Sequence, residues 1–277
     1  MQPENYLLEI KSKSKFSFGF KEILNYWELL YFFTWREIKV KYKQTLLGFA
    51  WVILQPLLMT VLFTVFLGKA VSSVSHLSVP YHLFALSGLV IWGFFSSGLS
   101  NAANSMVNNS NIIKKIYFPR LIIPISAILS SAVDFMISLV LFFIALIYFQ
   151  VSINWLHLLF IPVALILIAL STLGIGMFLA ALNIKYRDVR YALPFFIQGM
   201  LFVSPIMFPI SITSNKIAAT ILQFNPVAGA LELIRSVFTQ YEMNVTTIIY
   251  SSISAAVLFI LGLYYFRKTE AYFADLA

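Results

Sequence analysis

Chemistry in a protein needs polar side chains at a spacing the reaction can use, and this chain has few of them. Of its 277 residues, 11% are charged and 60% are hydrophobic. The three histidines, His76, His82 and His157, are scattered, without the HExxH or other close spacing of a metal site. No pair of carboxylates stands at the mouth of an apolar segment, as glycosyl or phosphoryl transfer would require. Gly68-Lys69 is followed by alanine and has no earlier glycine at the P-loop spacing, so the chain does not cradle ATP in that manner. The absence of cysteine excludes disulfides and thiolate metal sites. The sequence therefore reads as a non-enzyme with no metal and no cofactor of its own. Its charge gathers in two short stretches. NIKYRDVRYALP, residues 183–194, packs Lys185, Arg187, Asp188 and Arg190 together; NNSNIIKKIYFPR, residues 108–120, carries Lys114, Lys115, Tyr117, Phe118, Pro119 and Arg120. Short basic amphipathic segments suit docking on a soluble protein that moves, although composition alone favours ordinary positive-inside loops.

The elements that position these stretches follow from hydropathy. A mean hydropathy of +0.87 with 17% aromatics is more apolar surface than one soluble core of this size covers, so the chain is a membrane protein. Runs long enough to span a bilayer fall near residues 46–68, 83–106, 121–149, 155–182, 193–209 and 245–266. Six spans with both termini in the cytoplasm put all but Lys69, Lys216 and Arg235 of the 19 Lys and Arg residues on the inner side. The net charge of +8 then reflects the anionic inner leaflet and a cytoplasmic partner, not nucleic acid. The polar N-terminus lacks the apolar core of a signal peptide, so residues 1–19 read as a cytoplasmic tail and the first span as the insertion signal.

Two segments are not simple spans. Residues 20–45 place Phe20, Ile23, Leu24, Trp27, Tyr31, Thr34, Trp35 and Ile38 at helical spacing, which predicts an amphipathic helix lying in the inner interface. Residues 210–244 follow a short span and contain Asn225-Pro226, so they fold back as two short re-entrant or interfacial helices on the outer side. Asn225 is the expected N-cap and Pro226 the first-turn proline. Glu232 and Arg235, at i and i+3, are expected to pair. One acid sits deep: Asp134 lies about 20 Å beyond Leu121 along a helix, with Ser130, Ser131 and Ser138 placed to satisfy it. A proton-coupled carrier would use such an acid together with partners in other spans, which the sequence does not offer; a structural, hydrogen-bonded aspartate is the preferred reading.

The run WREIKVKYKQTLLGFAWVILQPLL, the loops IIKKIYFPRLIIP and LNIKYRDVRYALP, the turn SPIMFP and the segment NPVAGALELIRSVF resemble, in that order, the landmarks of type-2 ATP-binding-cassette export permeases. Within these the chain is most similar to exporters of lipid-linked O-antigen, capsule or teichoic acid. The resemblance implies an all-α half-transporter in the bacterial inner membrane, working as two copies, each docking one soluble ATPase that binds ATP and magnesium. It implies that Arg36, Lys43, Lys114, Lys115, Tyr117, Phe118, Pro119, Arg120, Lys185, Arg187, Asp188 and Arg190 form or brace the ATPase-facing surface. It also implies that Asn225, Pro226, Glu232 and Arg235 belong to the region closing the exit. A hydrated glycan needs a wide lining of flat faces with polar edges, for which Trp51, Phe63, Phe66, Trp92, Phe94, Phe95, Phe195, Phe196 and Phe202 are the candidates. Gly48, Gly88, Gly93 and Gly98 would permit close helix contact. The same architecture exporting a drug, peptide or other lipid, and a self-sufficient carrier, are the alternatives.

Overall fold

The computed structural model describes residues 20–43, 48–74, 79–186, 188–238, 241–270 and 273. The expected tail 1–19, His76 and Arg187 lie outside the described residues. The chain runs through α1 (Phe20–Asn25), α2 (Trp27–Tyr42), α3 (Ala50–Val74), α4 (Tyr81–Asn108), α5 (Ser110–Ile113), α6 (Ile122–Tyr148), α7 (Phe160–Lys185), α8 (Val189–Val203), α9 (Lys216–Gln223), α10 (Pro226–Arg235) and α11 (Val245–Glu270). A 3-10 turn, Trp155–Leu159, leads into α7.

Five of these elements are long and apolar enough to cross a bilayer: α3, α4, α6, α7 with its leading turn, and α11. The first expected span begins later and ends later than its apolar run. Gly48, at φ 47, turns the chain ahead of α3, and the helix continues through Lys69 to Val74. The fifth expected span, 193–209, is not one continuous helix. α8 has 15 residues, about 22 Å, short of the roughly 30 Å hydrocarbon core. It stops because Ser204 precedes Pro205, which drives Ser204 into extended backbone at φ −92, ψ 144. α9 and α10 then meet at an 83° bend within the stretch 210–244.

α4 is the central element. From Leu83 to Leu99 its sequence is apolar or small on every side, and it packs against α3, α6, α7, α8 and α10. Most of its residues are accordingly buried. α3, by contrast, buries only Thr60 and Gly68 within the chain. Proline inside α3 leaves a backbone carbonyl without its helical donor: Pro56 cannot reach Val52, whose oxygen instead receives the Ser138 hydroxyl of α6 at 3.5 Å. Ser138 thus serves the backbone of a neighbouring helix rather than Asp134.

α7 and α11 approach to backbone contact. A methyl group added at Gly262 would lie 1.9 Å from the Gly174 carbonyl oxygen, so only two glycines allow the backbones to touch. Neither glycine was singled out in the sequence. Of those that were, Gly88 lies under the non-helical backbone at Ile206 and Gly98 under Thr172, while Gly93 has open space above it.

Candidate docking surface and re-entrant clamp

At one end of the bundle, where α4, α7 and α11 finish and α6 begins, a second buried cluster gathers Phe33 of α2, Ile113, Phe118, Ile184, Phe266 and Phe273. It brings the two charged loops together. Phe118 is 5% exposed and stacks at 5.6 Å between ring centroids against Phe33. Pro119 is buried beside it. Arg120 donates to the Glu270 carbonyl and lies over the Phe273 ring at 5.9 Å. Arg267 and Glu270 form an ion pair at 2.6 Å. Arg36 bonds the Asn109 side-chain oxygen and pairs with Glu37 at 2.8 Å. Asn183, at the end of α7, donates to the Ala103 carbonyl at 2.9 Å and to Asn104 at 3.1 Å.

These contacts sort the expected coupling residues. Phe118, Pro119, Arg120 and Arg36 hold the loop to α2, α4 and α11, because apolar rings and a guanidinium with a nearby carbonyl gain more by packing than by exposure. Lys114, Lys115 and Tyr117 point outward, Tyr117 being 81% exposed. So do Lys185 and Asp188, while Arg190, also exposed, edges a polar cavity. Lys43 does not join them. It ends α2, next to Tyr42, which binds Asp134 about 18 Å along α6 from Ile122.

Asp134 is held by Lys41 and the Tyr42 hydroxyl, with the aspartate side chain 13% exposed and Lys41 37%. Burial, then the hydrogen bond to Asp134 and its charge, push the Tyr42 phenol above its ordinary range, so it remains a donor. The expected serine partners are otherwise engaged. Ser130 and Ser131 donate to the Ala127 carbonyl, and Ser131 also accepts from Asn101 at 3.1 Å. α2 packs along α6, so the partners come from a helix some ninety residues upstream. On α2 the buried side is Phe33, with Leu29 and Leu30 partly covered; Trp27, Tyr31 and Trp35 stand outward.

At the other end, Asn225 caps α10 by accepting from the Val227 amide at 2.9 Å, with Pro226 in the first helical position. The Asn225 amide also donates to Ser204 at 2.9 Å. The expected Glu232–Arg235 ion pair does not form. Glu232 accepts from the Tyr241 hydroxyl at 3.0 Å and the Asn244 amide at 3.1 Å. Arg235, 1% exposed, donates to the carbonyls of Pro205 at 3.0 Å and Ile206 at 2.8 Å, and lies 3.6 Å over the Phe84 ring. Its partners are set by the helix break after α8, where carbonyls have lost their helical donors and cannot face lipid unpaired.

The aromatic candidates divide. Trp92, Phe94 and Phe95 are 8%, 2% and 0% exposed: they pack the centre of the chain and do not line a pathway, since α4 is surrounded by other helices. Trp51, Phe66, Phe195, Phe196 and Phe202 are exposed on α3 and α8, and Phe63 is partly covered. A further feature was passed over in the sequence. SNAANSMVNN within and just beyond α4 sets Ser100, Asn101, Asn104 and Asn108 at spacings of three and four, a polar stripe on an otherwise apolar helix. It lines a cavity of about 150 Å³ whose wall includes Arg190.

A polytopic helical membrane protein with a tied loop platform at one end and a sharply bent helix pair at the other fits the transporter class. Residues 28–239 match the family described as ABC-2 type transporter, and the chain belongs to that family. It is 30% identical over 95% of its length, and 98% of the relative's, to the O-antigen export system permease protein RfbA of Klebsiella pneumoniae. It is 25% identical to the protein of that name from Myxococcus xanthus, over 80% of this chain and 85% of the other. To the polysialic acid transport protein KpsM of Escherichia coli it is also 25% identical, over 85% and 91%. The chain is thus a multi-pass integral protein of the bacterial inner membrane.

Proposed function

We propose that this chain is the permease subunit of an ATP-driven exporter that moves lipid-linked polysaccharide of the O-antigen or capsule type out of the cytoplasm. One observation carries the reading: over nearly its whole length the chain resembles export permeases for two different polysaccharides. The loop-bearing end faces the cytoplasm, as the retention of Lys and Arg on the inner side favours. There Lys114, Lys115, Tyr117, Lys185, Arg187, Asp188 and Arg190 receive a separate ATPase, which binds ATP and magnesium. Two copies of the chain meet along the uncovered faces of α3 and α8, and the exposed aromatics of those helices, Trp51, Phe66, Phe195, Phe196 and Phe202, offer ring faces to the second copy or to passing sugar. ATP-driven approach of the two ATPases displaces the loop platforms as rigid bodies and parts the permeases. The α9–α10 pair, with Asn225, Pro226, Glu232 and Arg235, closes the exit at rest.

The test is to extract the tagged chain, expressed with its neighbouring genes, in mild detergent and measure the co-purifying subunits. An ATPase in equal number, together with lipid-linked glycan accumulating inside cells that lack the gene, is the expected result. A chain that purifies alone and transports in liposomes without ATP overturns the reading.

A further inference from the structure

The polar cavity between α2, α4 and α8 is walled partly by side chains that tie helices together and partly by side chains that no contact of the fold uses among the described residues, and the second set has a specific chemistry. Glu37, Ser100, Asn101, Asn104, Asn108 and Arg190 face it, over Ala127 of α6, around about 150 Å³. Some of these groups are committed. Asn104 donates to the Ser100 carbonyl at 2.9 Å and accepts from Asn183 at 3.1 Å. Asn101 donates to Ser131, and Glu37 is paired with Arg36. What is left over among the described residues is the Asn101 side-chain oxygen, the Ser100 hydroxyl, the whole Asn108 amide and the Arg190 guanidinium.

That remainder is a set of neutral donors and acceptors with a single uncompensated cation. A phosphate group would call for several cations around it, and an apolar cargo for an apolar wall. A hydroxyl donates and accepts at once, which is what carboxamide and hydroxyl side chains pair with. Each such bond contributes little net, so an occupant is oriented without being trapped. The site opens at the loop-bearing end, beside the charged loop 185–190, and is built on the central helix α4 rather than on the loops.

We infer that this cavity is a sugar-ring subsite that receives one residue of the glycan at the cytoplasmic mouth, with Asn101 and Ser100 contacting its hydroxyls, Arg190 closing the rim and Asn108 exposed at its edge. The inference rests on the polysaccharide-export reading and names where in the chain the cargo is first held. It assigns recognition to carboxamides on α4, not to the exposed aromatics.

The lack of cysteine makes a direct test available. Asn108→Cys places a unique thiol at the edge of the cavity in the assembled exporter, and Glu28→Cys places one on the exposed face of α2. Inside-out vesicles are prepared from cells that make the glycan and from cells blocked in its synthesis, and labelling by a membrane-impermeant maleimide is timed. Slowing of the Asn108→Cys thiol by about fivefold in glycan-making cells is expected for a site filled at four times its dissociation constant. The Glu28→Cys thiol is expected to label equally in both. Equal labelling at Asn108→Cys overturns the subsite, and so does a thiol shielded in both preparations, which would mean that protein covers the cavity. Glycan accumulation in cells lacking the gene is measured alongside. If it is absent, the export reading has failed; if it is present without protection, only the subsite has.

Discussion

Arg235 is expected to be the most costly single side chain to remove, for a reason the fold makes explicit. α8 ends at Val203, the Ser204 amide makes the last helical bond, to Met200 at 2.9 Å, and the chain then crosses residues 205–208 next to α4 at Gly88. Two of the carbonyls freed there, Pro205 and Ile206, are bonded by one guanidinium at 3.0 and 2.8 Å. A hydrogen bond to a charged group contributes about 1.5–3 kcal/mol, so Arg235→Met, which keeps the bulk and removes the donors, is expected to cost roughly 3–6 kcal/mol. At about 2–4 °C per kcal/mol this is a fall in Tm of at least about 6 °C. Arg235→Lys retains the charge but not the fork that reaches two oxygens while lying on Phe84, so an intermediate loss is expected. The assay is thermal unfolding of the detergent-solubilised complex, followed by size-exclusion fluorescence. Arg235→Met with wild-type stability would show that the carbonyls find other donors, and the account of the broken helix would be wrong.

The inner loop is expected to separate stability from coupling. Phe118→Ala should destabilise by about 3–5 kcal/mol, read as lost extractable protein, whereas Tyr117→Ala, at an 81% exposed position, should leave stability intact and reduce ATP-linked export. Lys41→Met should destabilise by about 1–3 kcal/mol by stranding the Asp134 carboxylate. Adding Asp134→Asn should recover most of that loss, which a thermal-shift cycle measures; failure to recover would mean the pair does not hold α2 on α6. Gly262→Ala should cost about 3 kcal/mol or more, since its methyl meets the Gly174 backbone. Wild-type Tm in that variant would contradict the α7–α11 contact.

What the sequence could disclose was whatever is decided locally. α4, α6, α7 and α11 are legible because an apolar run of adequate length has few other places to go, and the Asn225-Pro226 start of α10 because capping involves adjacent residues only. The partners of the charged groups were not legible. Glu232 and Arg235 are spaced to pair, yet Arg235 turns to carbonyls some thirty residues earlier, set by a break whose orphaned groups periodicity does not register. Asp134 finds Lys41 and Tyr42, not the serines of its own helix, because helix serines can return their hydroxyls to their own backbone. Hydropathy marks aromatics as apolar without saying which neighbour they meet, so Trp92, Phe94 and Phe95 were misplaced on a pathway. The polar stripe of α4 was present in the letters but averaged away by the leucines and phenylalanines before it.

The bonds that hold the two ends of the chain converge on one helix. Arg120 joins the inner loop to the last turn of α11, and Arg267 pairs with Glu270 there. Midway, α11 touches the α7 backbone at Gly262. Toward its start, Ser251 accepts from the Gly229 amide at 3.0 Å and donates to the Pro226 carbonyl at 2.9 Å, fixing α10 and with it Arg235. Over 26 residues, about 39 Å, α11 is thus a strut fastened at three heights. α3 and α8 have no comparable fastening: one buries two residues of 25, the other one of 15. A force applied to the loops therefore meets a stiff side, α4–α7–α11, and a loose side, α3 and α8. For this reason Gly262→Ala and Arg235→Met are read as losses of stability, and changes on the exposed loop as losses of coupling. The polar cavity lies where the two sides meet, walled by α4 on the stiff side and by Arg190 of α8 on the loose one, so displacement of α8 changes its width.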